Sequence, residues 1–264
     1  MCPCSQFTRS IEDWCDAKVE DLREMIKQIG ADKIGAFIAE PILSSGGVIV
    51  PAKGYQKRTW EICRENDILY ISDEVVTGFG RLGHWFASEE VFEIIPDMIT
   101  CAKGLTSGYL PLGACIISDR VLEIASQGDE PSAFTNGYTY SAHPVSCAAA
   151  LKNIEIFENE RILENVRNVS PHFQRRLKDL MKYDIVGDAR GMGLLGCIEC
   201  KAEDLESERS LGSKIDEACE ELGLLVRPLI NMAVFSPPLI ITIEQIDEMF
   251  DILEAAIIKV ENNL

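Results

Sequence analysis

The chain has 264 residues, 47% hydrophobic, 26% charged and 7% aromatic, a globular composition rather than a disordered, collagen-like or coiled-coil one. It carries 25 Lys and Arg against 43 Asp and Glu; a net charge of −18 without a basic tract argues against nucleic-acid or anionic-membrane binding, which needs a clustered positive face. No apolar run reaches the roughly 20 residues of a membrane span, and the first residues lack the basic and apolar stretches of a signal peptide, so the expectation is a cytoplasmic protein with no membrane partner.

Taken in chain order, Cys15, Val19, Leu22, Met25, Ile26 and Ile29 keep helical spacing, with Ser10 as N-cap and Gly30 as terminator. The short apolar run at residues 34–39 predicts a strand buried on both faces. A Pro/Gly/Ser loop, residues 41–54, leads to a helix over 55–66. Three further buried strands are expected at residues 68–71, 98–101 and 114–117. Strands alternating with helices predict an α/β fold with a mostly parallel sheet covered on both sides.

The texture then changes. Pro144 opens an Ala-rich helix running to about Phe157, and amphipathic helices follow near 161–182 and 213–222. Strand-like runs lie at 192–200 and 224–227. Thr242 and Gln245 have capping-box spacing ahead of an apolar stripe of Ile246, Met249, Phe250, Leu253, Ile257 and Val260. The expected division is residues 1–150, a sheet-based piece, and 151–264, a smaller α+β domain.

Ten cysteines without a secretory signal do not predict a disulfide framework. Cys63, Cys101, Cys115, Cys147 and Cys219 sit in apolar segments and read as small hydrophobes. Cys197 and Cys200 share one strand-like run, where their spacing points them to opposite faces, and Cys2 and Cys4 have no better partners. His84, His143 and His172 are scattered, so no metal site is expected.

In open parallel sheets, ligands sit at the carboxyl ends of the strands. Asp73 and Glu74 follow one predicted strand and Lys103 follows another. If those strands are close in one sheet, an acid and an amine converge. A Schiff-base lysine and an Asp facing the pyridinium nitrogen are what pyridoxal phosphate requires. Gly78, Gly80 and Gly83 match G-x-G-x-x-G, but residues 73–77 separate them from the strand and no helix opens after them, so they read as a tight loop rather than a dinucleotide site.

Five segments carry a family resemblance: Ala39-Glu-Pro41, Ile71-Ser-Asp-Glu-Val-Val-Thr-Gly-Phe-Gly-Arg81, Ala102-Lys-Gly-Leu-Thr-Ser-Gly-Tyr-Leu-Pro-Leu-Gly113, Tyr138-Thr-Tyr-Ser-Ala-His-Pro144 and Arg190-Gly-Met-Gly193. In this order and spacing the chain, from about residue 15 to its end, resembles the class III pyridoxal-phosphate-dependent aminotransferases, most of all the omega-amine:pyruvate transaminases. The resemblance implies the fold-type-I architecture of aspartate aminotransferase. It implies that Lys103 forms the Schiff base and shuttles a proton, that Asp73 keeps the pyridine nitrogen protonated, and that Val75 packs on the ring. Tyr138 and Thr139 would cap the cofactor phosphate of a neighbouring subunit, making a homodimer. Arg227 would be the mobile arginine for a keto-acid carboxylate, and Glu40 would support the site from behind.

Two departures narrow the expected substrates. Ser45 stands where relatives that use glutamate often carry an acid, and Val76 where many carry Gln, so pyruvate is expected as amino acceptor, with a primary amine or omega-amino acid as donor in a ping-pong exchange. Family members also have well over a hundred residues ahead of the segment matching residue 15, including the phosphate-binding loop and the second ring-stacking side. The chain therefore reads as an N-terminally truncated aminotransferase; the alternative is a non-catalytic fragment or a split subunit that needs a separate N-terminal half.

Overall fold

A computed structural model describes residues 11–127 and 136–263, so Cys2, Cys4 and the expected cap Ser10 lie outside the described residues. The chain divides into two compact units, one of Met1–Pro41, Pro51–Phe79 and His84–Glu160, the other of Ile42–Val50, Gly80–Gly83 and Arg161–Leu264. Sequence places the division at 150/151, inside a helix. The structure divides at Glu160/Arg161, past the helix end, where Arg161 takes a φ of 53°.

The first unit opens with helix α1 (Ile11–Ile29), strand β1 (Ala36–Ala39), α2 (Tyr55–Glu65) and β2 (Leu69–Asp73). Then come the single-turn α3 (Ala87–Glu90), β3 (Met98–Cys101), β4 (Ala114–Ile117), α4 (Asp119–Ala125) and α5 (Pro144–Asn159). Cys15, Val19 and Ile26 bury one stripe of α1, while Met25 and Ile29 stay exposed. Gly30, at φ 94°, ends the helix.

The strands form one sheet in the order β1-β2-β3-β4, parallel from β1 to β3. Strand β4 instead runs antiparallel to β3. Residues 102–113 hold only a 3₁₀ turn, Lys103–Leu105, and a parallel partner would need a longer crossover, usually a helix.

The sheet is mostly parallel as expected, but among the described residues it is covered on one face rather than both. Phe37 and Tyr70 pair in register, their rings 5.3 Å apart, and join the α1–α2 core with Ile62, Cys63 and Ile94. The Tyr70 hydroxyl donates to Gln56, whose amide donates to the carbonyls of Glu40 and Pro41, fixing the exit of β1. By register, Ile38, Ile71, Met98 and Ile117 share the other face. Ile38 is 60% exposed and every residue of β4 is exposed, Cys115 among them, so β1 and β4 are not the fully buried strands their apolar runs predict. The helices α1 and α2 reach only the β1–β2 side.

The second unit holds α6 (Ile162–Asp179), β5 (Val186–Met192), β6 (Leu195–Cys200), α7 (Leu205–Glu221), β7 (Arg227–Leu229), β8 (Met232–Phe235) and α8 (Ile243–Glu261). Its antiparallel sheet has the order β5-β6-β8-β7. The run at 192–200 is β6 with the turn before it, the second arm of a β5–β6 hairpin that turns at Gly193. There φ is 61°, and a Cβ would meet the Arg81 carbonyl at 2.5 Å. The run at 224–227 contributes only Arg227 to a strand. Two strands lie outside the expected runs: β5, of which the run at 192–200 holds only Met192, and the apolar run Met232–Phe235, buried throughout.

Helix α8 begins with both halves of the Thr242–Gln245 capping box and buries Ile246, Phe250, Leu253, Ile257 and Val260. The Phe250 ring lies 5.3 Å from that of Phe173 and 6.4 Å from that of Phe235. Phe250→Ala is expected to destabilise the protein by about 3–5 kcal/mol, read as a lower urea midpoint. Burial pushes the Cys200 and Cys219 thiols up to about 12, which fits inert packing residues. None of the described helices is long and apolar enough to cross a membrane.

Candidate active site

Strands β2 and β3 are adjacent and parallel, so their carboxyl ends lie at the same edge of the sheet. Asp73 is the last residue of β2, in register with Thr100. It continues the face of Ile71, which the helices leave uncovered, and is half-buried. Its Oδ1 accepts from the Val75 N–H at 3.1 Å, a local turn that aims the carboxylate. Its Oδ2 has no partner among the described residues.

The next residue, Glu74, faces inward and is 1% exposed. Its carboxylate accepts from the Ala87 N–H at 2.7 Å, the Ser88 N–H at 2.8 Å, the Ser88 hydroxyl at 2.6 Å and the Thr77 hydroxyl at 3.0 Å. The Glu74 N–H donates to the Thr100 carbonyl at 2.9 Å. Each lone-pair side of a buried anion is thus satisfied, and the strand exit carrying Asp73 is tied to β3 and α3.

Lys103 lies two residues past β3, exposed, its amine without a partner among the described residues. Its backbone is in the left-handed region at φ 33°, a conformation that costs a residue with a Cβ on the order of 1–3 kcal/mol and persists only where its surroundings enforce it. Gly104 packs against Phe79, where a Cβ would sit 2.7 Å from the Phe79 Cβ. Phe79 itself is held edge-on by Trp85 and Phe86, with ring centroids 6.0 and 5.5 Å away.

The other expected residues are placed as follows. Val75 is half-buried directly after Asp73. Tyr138 is 87% exposed, with Thr139 exposed beside it, in a turn before α5 closed by the Ser141 N–H on the Tyr138 carbonyl at 2.9 Å. Glu40 follows β1 and is half-buried. Arg227 belongs to the second unit, where it is exposed at the start of β7 and borders an open groove of about 850 Å³ with Val226, Phe235, Ile241 and Met249.

Gly78 to Gly83 form a run of turns, as their distance from the strand and the missing helix predict. Arg81 donates from Nη1 to the carbonyls of Leu194 and Pro237, at 3.0 and 2.6 Å, within the second unit. Desolvation lowers its pKa to about 10, and it stays protonated at neutral pH.

Sequence reasoning missed Asn153 on α5, which is 9% exposed and bonds the Lys103 turn. Its signal is a polar residue on the buried stripe Ser146, Ala150, Asn153, Phe157. Chemically, the β2–β3 edge offers an amine able to condense with an aldehyde and a carboxylate oxygen able to hold a protonated ring nitrogen.

A family model described as aminotransferase class-III matches residues 1–257. A putrescine–pyruvate aminotransferase of Pseudomonas aeruginosa is 41% identical over 235 residues, 87% of this chain and 51% of that protein. A chloroplastic gamma-aminobutyrate transaminase of Solanum lycopersicum is 38% identical over 259 residues, 96% of this chain and 50% of that protein. Among solved structures, an omega-transferase from Vibrio fluvialis superposes with a TM-score of 0.87 at 40% identity, covering 97% of this chain and 62% of that one. The chain spans about half the length of the curated relatives it matches. With the family model matching almost its whole length, the chain belongs to the class-III aminotransferases.

Proposed function

We propose that the chain takes part in pyridoxal-phosphate-dependent transfer of an amino group from a primary amine or omega-amino acid to a keto acid, pyruvate above all, in two ping-pong half-reactions. The observation that carries this reading is the adjacency of β2 and β3, which brings Asp73 and Lys103 to one sheet edge. Membership of the family supports the cofactor, and the geometry fits it: the Lys103 amine is unpaired among the described residues, and Asp73 keeps one oxygen open.

When bound, pyridoxal phosphate supplies an electron sink that stabilises the charge left when a C–H bond of the substrate breaks. Lys103 would hold the cofactor through Nζ, and the same amine, when free, would move the proton to and from the amine-bearing carbon. Asp73 Oδ2 would keep the ring nitrogen protonated, and Val75 would pack on the ring. Tyr138 and Thr139 would cap the phosphate held by a neighbouring copy; their exposure and that of β4 support a homodimer.

Arg227 receives the carboxylate of the keto acid. A charged pair of this kind is worth about 1.5–3 kcal/mol, so Arg227→Ala is expected to raise KM for pyruvate about 10- to 100-fold and leave kcat nearly unchanged. Pyruvate is favoured over 2-oxoglutarate because Ser45, a neutral residue, stands in the loop after Pro41. Steady-state kinetics with both acceptors tests this. Pyruvate and 2-oxoglutarate turning over at equal kcat/KM would remove the pyruvate assignment.

A further inference from the structure

We propose that Asn153 is a positioning residue for Lys103, a role that rests on the functional reading above. The turn after β3 is unusual in holding two non-glycine residues, Lys103 at φ 33° and Ser107 at φ 50°, in the left-handed region, with Gly108 at φ 78° beside them. Such a turn relaxes unless side chains over-determine it. Its own backbone supplies short-range bonds: Leu105 N–H to the Ala102 carbonyl, Thr106 N–H to Lys103, Ser107 N–H to Gly104 and Tyr109 N–H to Thr106.

The Thr106 hydroxyl adds one tie, donating to the Leu110 carbonyl at 2.6 Å, and Asn153 grips the turn from a helix rather than from the turn itself. Its Nδ2 donates to the Gly104 carbonyl at 2.9 Å and the Leu105 carbonyl at 3.1 Å, and its Oδ1 accepts from the Ser107 hydroxyl at 2.7 Å. One planar amide therefore grips the turn at three points downstream of Lys103. The amide is buried, so water cannot replace it cheaply. Seated mid-way along the sixteen-residue α5, it is anchored by the Ala150 and Phe157 packing on either side. Loss of the grip would let Lys103 leave its left-handed backbone and swing Nζ away from the edge it shares with Asp73. Asn153 touches no reacting atom; it acts through the turn.

The test compares wild type with Asn153→Leu, which keeps the branched heavy-atom skeleton and removes every hydrogen bond. Ser107→Ala is the milder second variant, because it removes one bond at an exposed position. Hydrogen exchange followed by mass spectrometry reads the turn without cofactor. Asn153→Leu is expected to speed exchange of the amides at 105–109 at least about tenfold while β1 and β2 keep wild-type protection; Ser107→Ala should do the same more weakly. A pyridoxal phosphate titration then reads Lys103 itself. The variant should need about tenfold more cofactor to develop the visible band that depends on Lys103, and the pH midpoint of that band should shift. Unchanged exchange at 105–109, or faster exchange throughout the first unit, would overturn the proposal, and so would an unmoved pH midpoint. If wild type develops no band at all, the functional reading fails, whereas a wild-type band that the variants leave unaltered removes the Asn153 role alone.

Discussion

Lys103→Ala is expected to abolish amino transfer, lowering kcat/KM by at least about 10⁴-fold, because one substitution removes the covalent anchor and the proton carrier together. The fold should survive. Lys103 is exposed and unpaired among the described residues, and alanine fits the space, although the left-handed backbone stays unfavourable for any residue with a Cβ. Thermal unfolding should therefore move little while the visible cofactor band disappears. A variant that keeps the band would show that another amine holds the cofactor.

Asp73→Asn ranks second. It preserves the shape of the side chain and the acceptor for the Val75 N–H, so the turn at 73–75 should be kept. What it removes is the charge that keeps the ring nitrogen protonated. Loss of a preorganised electrostatic partner of this kind costs about 10²–10³-fold in kcat. The band should persist with a changed position, and the loss should appear in the proton-transfer step, read as an increased primary kinetic isotope effect with deuterated amine donors. Full activity in Asp73→Asn would mean that the electron sink works without this acid.

Much of this site is legible in the amino-acid order alone. Met98–Cys101 and Ala114–Ile117 are short apolar runs bounded by breakers, and their limits agree with the observed strands. Asp73 and Lys103 each end such a run, and what the fold adds is the adjacency of the two strands. Strand direction is not encoded in an apolar run. That β4 reverses follows from a connection too short to cross over, and a two-residue period reads the same in either direction. Cover is a long-range property for the same reason: Ile38 and Ile117 look like core residues locally, and their exposure depends on what lies above them.

The second unit teaches a related lesson. Gly193 lies within an apolar stretch that reads as a single strand, yet the Arg81 carbonyl and Leu82 crowd the position so closely that only glycine fits. No local pattern contains Arg81, which is far away in sequence. Asn153 differs again, because its signal is visible: an amide on the buried stripe of an Ala-rich helix. Its meaning depends on the Gly104 and Leu105 carbonyls that it meets.

The central claim is that the β2–β3 edge carries a working acid–amine pair. The most direct measurement is a half-reaction followed by absorbance: the protein is loaded with pyridoxal phosphate, mixed with an amine donor such as putrescine, and then given pyruvate. The Lys103-dependent visible band is expected to bleach with the donor and return with pyruvate, with one amino group moved per site. A band that forms and is indifferent to amines, or no band beyond that of free cofactor, would contradict the claim.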